Sequence, residues 1–270
     1  MIYIDMKSKR TNTRNPEERR ANLLLALQRE RYHSVAGLQK KTGIPIATLH
    51  RDLDMLMKHG HIRKTYGGVE MLPRGVVREY DKRIAIAVEQ KKAIGNKAVP
   101  LVKAGDTIFV DASSTVYYFC SLLMEAPPEN ITIITNAVHL PAQFAGNDSP
   151  IRMISTGGTI DREIQACSGG AAVSSIRNHT INKAFISAAG FSLSAGISTA
   201  TESLHQLITV ALASASERYC LVDSSKYGKE LLYRIAGLSD FAAVITDDGI
   251  APDVRAQARE KGVTLLTAGV

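Results

Sequence analysis

Apolar residues in the first quarter of the 270-residue chain recur at helical spacing, and the pattern changes abruptly further on. Over residues 16–29, Leu23, Leu24 and Leu27 share one face, which predicts a first helix. Ser34 is a suitable N-cap for a second, short helix with Val35 and Leu38 turned inward, and Gly43 closes the turn after it. A third helix is predicted over residues 45–56. Leu49, Leu53 and Leu56 lie on its inner face, which leaves Ala47, Thr48, His50 and Arg51 on or near the outer one. Pro45 suits the first helical turn, because it lacks the N–H that would have no intrahelical partner there. Two short strands, 61–65 and 69–72, flank Tyr66-Gly67-Gly68, where glycines supply the positive φ of a tight hairpin.

Three helices followed by a hairpin make a winged helix-turn-helix. In that geometry Pro45, Ala47, Thr48, His50 and Arg51 of the third helix face the major groove of double-stranded DNA, and Arg63, Lys64 and Tyr66 of the wing meet phosphates alongside. Residues 73–83 form a charged connector, and a helix is expected over 91–103. Beyond it, strand-like runs at 107–110, 131–135, 151–155, 184–187, 219–222, 243–246 and 263–266 alternate with helix-like segments such as 115–124, 204–215 and 252–261. Such alternation predicts a mostly parallel sheet covered by helices. The expected architecture is therefore α/β: a disordered basic arm (1–15), a winged helix-turn-helix (16–73), a linker (74–90) and an effector-sensing α/β domain (91–270).

Charge sharpens this division. Residues 1–75 carry 15 Lys+Arg against 7 Asp+Glu, a net +8, whereas residues 76–270 carry 18 against 19, a net −1, and the two sum to the chain's +7. A basic excess confined to a small domain favours a phosphate-bearing partner, since displaced counterions drive binding to nucleic acid. Cys120, Cys167 and Cys220 are odd in number and far apart, and no Cys-x-x-Cys pair or His cluster accompanies them. They read as buried thiols of a reducing compartment, with no disulfide frame and no metal site. The N-terminus lacks the apolar core of a signal peptide, and serines, threonines and glycines interrupt the weakly charged run 184–216, so neither secretion nor a membrane span is expected. The expected location is the cytoplasm.

Several predicted strands end in small polar residues: Asp111-Ala112-Ser113-Ser114-Thr115, Thr135-Asn136, Gly157-Gly158-Thr159 and Asp223-Ser224-Ser225-Lys226. Ligands of α/β sheets bind at the carboxyl ends of strands. A hydroxyl-rich turn that opens a helix presents N–H groups and hydroxyls to an anion at the positive end of the helix dipole, which suits a phosphate. Lys226 can add a point charge, and Asp111 or Glu202 can accept hydrogen bonds from sugar hydroxyls. The expected effector site is thus Asp111, Ser113, Ser114, Thr115, Thr135, Asn136, Gly157, Gly158, Glu202 and Lys226.

From about Glu17 to its end the chain resembles the DeoR family of bacterial transcriptional regulators. The run Thr48-Leu49-His50-Arg51-Asp52-Leu53 is similar to that family's Thr-Ile-Arg-Arg-Asp-Leu signature, and Gly67-Gly68 to the pair after its wing. Asp111 to Thr115, Thr135-Asn136, Gly157-Gly158, Asp223-Ser224-Ser225-Lys226-Tyr227-Gly228 and Thr246-Asp247 resemble its C-terminal motifs. The resemblance implies a sensor domain similar to ribose-5-phosphate isomerase that binds a phosphorylated sugar or related metabolite and alters operator affinity, usually to repress a sugar-catabolism operon. The chain departs from the family at Pro45 and His50, at Gln206, where a Lys is common, and at Asn182, where an Asp is common. A lost cation at Gln206 weakens anion binding.

Two classes of function follow. In the favoured one, a homo-oligomer, dimer or tetramer, reads paired operator half-sites and responds to a small-molecule effector without a cofactor. In the other, the large domain is an aldose-ketose isomerase acting on a sugar phosphate. That reaction needs a carboxylate to shuttle a proton, and no spacing sets Asp111, Glu202 or Asp223 beside one another. No catalytic residue is therefore assigned.

Overall fold

The computed structural model describes residues 16–27, 32–58, 61–71, 79–145 and 150–270. The expected basic arm, the last two residues of the first predicted helix, Leu72 and the start of the connector lie outside the described residues. The chain divides into two units, residues 1–86 and 87–270.

The first unit contains α1 (Pro16–Leu27), β1 (Tyr32–Ser34), α2 (Val35–Thr42), α3 (Ile46–Lys58), β2 (Ile62–Thr65), β3 (Gly68–Met71) and α4 (Glu79–Ala85). Ser34 Oγ accepts the Gly37 N–H and caps α2. Gly43, at φ 67°, ends that helix in the left-handed region that β-carbons disfavour. The three helices bury Leu23, Leu27, Leu38, Ile44, Leu49, Leu53 and Leu56 in one core with Ile62 and Val69 of the hairpin. Two features depart from the expected pattern. β1 pairs antiparallel with β3, Tyr32 opposite Glu70, so the wing is a three-stranded sheet in the order β1-β3-β2. Residues 79–85, expected as connector, form α4, which packs against α1.

The second unit begins with α5 (Val88–Ala98), three residues before the helix expected there, followed by β4 (Thr107–Val110), α6 (Ser114–Glu125), β5 (Thr132–Thr135), α7 (His139–Phe144) and β6 (Arg152–Ser155). A hairpin of β7 (Thr159–Asp161) and β8 (Ala166–Ser168) leads into α8 (Gly170–Arg177), β9 (Ile181–Ile186), β10 (Gly190–Ser192), β11 (Gly196–Thr199) and α9 (Glu202–Ser214). The chain closes with β12 (Ala215–Leu221), β13 (Tyr233–Ala236), β14 (Ala243–Asp247), α10 (Pro252–Glu260) and β15 (Leu265–Ala268). The seven strands expected from apolar runs form one sheet in the order β15-β14-β12-β9-β4-β5-β6, and every neighbouring pair is parallel. The hairpin, α8 and a small antiparallel sheet, β10-β11-β13, were not anticipated by the sequence pattern.

Side-chain alternation explains the three layers. Ile108, Val110, Phe185, Tyr219, Leu221 and Ile245 face α5 and α6, where Phe119, Phe185 and Tyr219 stack. Phe109, Ala184, Ile186, Cys220, Val222 and Val244 face the opposite way, toward α8, α9 and α10. At the amino end of the sheet the buried Lys183 pairs with Asp106 at 2.5 Å. Asn182 stands at this same end, where its Oδ1 accepts the Thr107 N–H at 2.8 Å. Asn182 is therefore a sheet brace at the start of β9, and its departure from the family pattern does not bear on groups at the strand carboxyl ends.

Candidate functional site

On α3, Leu49, Leu53 and Leu56 anchor one face in the core, and Ala47, His50 and Arg51 are exposed on the other, with Thr48 half-buried. Pro45 sits one residue before the helix rather than in its first turn. Its carbonyl accepts the Leu49 N–H at 2.9 Å, which is the first bond of the helical ladder. Asp52 turns inward from the same helix and is buried. Arg19 of α1 donates to it at 2.5 and 3.2 Å, with Arg20 4.0 Å away. This pair locks α3 to α1 next to the exposed Arg51. On the wing, Tyr66-Gly67 form a two-residue turn between Thr65 and Gly68, with Gly67 at φ 76° and the Tyr66 ring fully exposed. Lys64 is exposed, but Arg63 donates through Nε and Nη2 to Glu70 Oε2 at 2.9 and 2.7 Å. The wing therefore carries less uncompensated charge than Arg63 and Lys64 together suggest.

In the second unit, chain order reverses across the sheet between β4 and β9: β5 and β6 follow on one side, β12, β14 and β15 on the other. A crevice at the carboxyl ends beside such a switch point is where open α/β sheets bind ligands. Across this edge the residues run in the order Asp247, Asp223 to Lys226, Ser187, Asp111 to Thr115, Thr135-Asn136 and Gly157-Gly158, at or just after the carboxyl ends of β14, β12, β9, β4, β5 and β6 respectively. Nine of the ten expected effector residues lie in this row. Glu202 does not: it follows β11 of the small sheet, is exposed in the first turn of α9, and accepts the Gln206 amide at 3.2 Å. Gln206 is thus engaged on the surface of α9.

Several of these side chains serve the frame. Asp111 accepts the Ser113 and Ser187 N–H groups, both at 3.0 Å, and so bridges the two strands of the switch point. Its charge, after burial, contributes to pushing the Cys120 and Cys220 thiols up. Ser113 Oγ caps α6 by accepting the Val116 N–H. Thr135 and Asn136 are fully buried. Thr135 Oγ1 accepts the Ala137 N–H, and Asn136 exchanges bonds with Cys167 of the hairpin, donating Nδ2 to its carbonyl at 3.1 Å while Oδ1 has no partner among the described residues. Gly158, at φ 107°, lies so close to the hairpin that a β-carbon would stand 2.5 Å from the Ser168 carbonyl. Asp247, which the expected site omitted, accepts the Ser224 N–H and hydroxyl, each at 2.7 Å, and thereby ties the Lys226 loop to β14. That loop is also fastened to the small sheet: Gly228 N–H donates to the Phe191 carbonyl at 2.9 Å, and Glu230 accepts the Ser192 and Ser194 hydroxyls at 2.6 and 3.0 Å. Those hydroxyls hold the Glu230 carboxyl below its ordinary range. Ser114 and Thr115, in the first turn of α6, are buried, Gly157 is exposed, and Lys226 is half-buried, with no ion-pair partner for its Nζ among the described residues.

The three cysteines are free and buried. Among the described residues no group of three or more His, Cys, Asp or Glu is placed to hold a metal, and no helix is long and apolar enough to cross a membrane.

A helix-turn-helix unit with a wing, in one chain with an α/β unit whose strands end in polar loops at a switch point, defines a DNA-binding regulator with a sensor domain. Residues 19–74 match the DeoR-like helix-turn-helix domain and residues 86–248 the DeoR C-terminal sensor domain, and the chain belongs to the DeoR family of transcriptional regulators. It is 34% identical over 258 residues to the HTH-type transcriptional regulator YgbI of Escherichia coli strain K12, an alignment covering 94% of this chain and 98% of that one. The L-fucose operon activator of Haemophilus influenzae is 30% identical, over 82% of this chain and 87% of that one. Its relatives are thus named as regulators, which sets the isomerase alternative aside. Ribose 5-phosphate isomerase A from Neisseria gonorrhoeae aligns over 55% of each chain at 13% identity with a TM-score of 0.39, a likeness too slight to support any argument.

Proposed function

We propose that the chain represses a carbohydrate-utilisation operon, that α3 and the wing bind operator DNA, and that a phosphorylated sugar or related metabolite in the switch-point crevice controls this binding. The crevice carries the proposal. Its loops are braced by Asp111, Asp247 and Asn136, and the hydroxyls of Ser114 and Thr115 in the first turn of α6, with Lys226 two strands along the same edge, are donors and a cation of the kind that suits a phosphate. The relative named as an L-fucose operon activator supports the sugar class. Pro45, Ala47, Thr48, His50, Arg51, Lys64 and Tyr66 present the DNA surface, with Arg63 joining once it leaves Glu70. A homo-oligomer matches two such units to paired half-sites.

A thermal-shift screen of the full chain against phosphorylated and free sugars tests the sensor, because a ligand that binds only the native state raises its apparent stability. The Lys226→Ala variant is expected to bind operator normally and to lose its response to the sugar phosphate that stabilises the wild type. A variant that still responds normally refutes the site.

A further inference from the structure

The tip of α3 carries apolar surface that the described residues of its own unit do not bury. Thr42 Oγ1 donates to the Leu38 carbonyl at 2.7 Å and accepts the Ile44 N–H at 3.4 Å, and Ile44 is fully buried. This clamp fixes where the next residues emerge, and Pro45, Ile46 and Ala47 are exposed in succession. Ile46 is 43% exposed and does not belong to the apolar side chains packed on the unit's core. Among the described residues of this unit, the large exposed apolar side chains are Leu25, Ile46, Tyr66 and Ile86. Two of these four stand at the tips of α3 and of the wing, the elements that a winged helix lays against a duplex. Single exposed apolar residues are ordinary. A rigidly held isoleucine flanked by proline and alanine at a recognition-helix tip is a defined contact surface, and its presentation costs no further ordering on binding.

The N-terminal residues of a recognition helix meet base edges, and the apolar group displayed in the major groove is the C5-methyl of thymine. We infer that Ile46, with Ala47 beside it, reads a thymine methyl in each operator half-site and is a specificity-determining residue. The inference rests on α3 being the DNA-reading helix. It assigns to the helix tip an apolar readout distinct from the polar readout available to His50 and Arg51 on the exposed face.

The test uses the full chain and duplexes that it selects from a random-sequence pool. Each thymine of the selected duplex is replaced in turn by deoxyuridine, which removes only the methyl group. At one position per half-site the wild type is expected to bind about fourfold more weakly, the worth of one buried methyl. Ile46→Ala is expected to bind the thymine duplex as weakly as the wild type binds the uracil duplex, with no further loss on uracil. Ile46→Val, which keeps a branched apolar tip and the helix, retains most of the discrimination. If every thymine replacement affects wild type and Ile46→Ala equally, the inference is overturned while DNA reading by α3 stands. If no sequence is enriched, and Arg51→Ala binds duplex as the wild type does, the reading of α3 fails and the inference falls with it.

Discussion

The buried contact between Arg19 and Asp52 gives the sharpest test of how the DNA-reading helix is held. Replacing Asp52 with Asn keeps the shape and removes the negative charge that the Arg19 guanidinium meets at 2.5 Å and Arg20 at 4.0 Å. Removing the charge partner of a buried ion costs up to about 3–5 kcal/mol, because a desolvated charge loses its nearest opposite charge. A small helical unit with a single core rarely has more than about 3–5 kcal/mol of stability to lose. Hydrogen exchange on the full chain reads the two units separately. Amides in α1 and α3 should lose at least about a hundredfold in protection, the equivalent of about 3 kcal/mol. Peptides from residues 87–270 should be unchanged.

A fall of less than about tenfold in α1 and α3 would mean that water already screens the pair, and would refute its role as the lock between the helices. A paired replacement separates charge from packing. Arg19→Met combined with Asp52→Leu removes both ions, and should recover most of the protection if the penalty comes from the unbalanced charge rather than from shape. If the double variant is as damaged as the single one, the loss arises from shape and the electrostatic account is wrong.

Glu70→Gln should free Arg63 for phosphate and steepen the salt dependence of operator binding by up to about 0.9 in log–log slope; an unchanged slope in anisotropy titrations would show that Glu70 does not neutralise Arg63. Gly158→Ala should destabilise the sensor unit by about 1–3 kcal/mol in chemical denaturation, since the new β-carbon meets the Ser168 carbonyl. Gly157→Ala, with nothing among the described residues within 4 Å of its β-carbon, should cost less, and equal losses would refute the close-approach argument. The Glu230 carboxyl is held down by two hydroxyl donors, so its anchoring of the Lys226 loop is complete above the ordinary value of 4.5 and is lost as pH falls through the lowered one. Carboxyl-carbon NMR should give a midpoint below 4.5, and a midpoint at or above it would remove the Ser192 and Ser194 bonds from the account.

Features that repeat over many residues were legible in the sequence, and features made by single distant contacts were not. Leu49, Leu53 and Leu56 mark α3 because burial on a helix must recur every three or four positions. The seven parallel strands were legible because strands covered on both faces read as continuous apolar runs. β1 has three residues, too few to show a period, and exists because Tyr32 finds Glu70 across the wing. The start of β9 was hidden by Asn182 and Lys183, which read as loop until Thr107 and Asp106 supply partners. The small sheet escaped for the same reason, as β11 pairs with β13 across more than thirty residues of chain.

In the sensor unit, the row of polar strand ends was legible and the division of labour within it was not. Residue type alone makes Asp111, Thr135, Asn136, Ser114, Thr115 and Lys226 equally plausible ligand contacts. The fold spends the first two and the amide nitrogen of Asn136 on backbone groups that would otherwise be buried without partners. Asp247 resembles a strand-end remnant, yet it positions the Lys226 loop through Ser224. In this row the Asp111 and Asp247 carboxylates are engaged by N–H and hydroxyl donors, and the positive contributions beside them are the amino terminus of α6 and Lys226. Asp111 and Asp247 keep their negative charge while accepting these bonds, so the anionic ligand proposed above has to be held by the amino terminus of α6 and by Lys226 against that charge, and Lys226→Ala is the substitution that should cost such a ligand most.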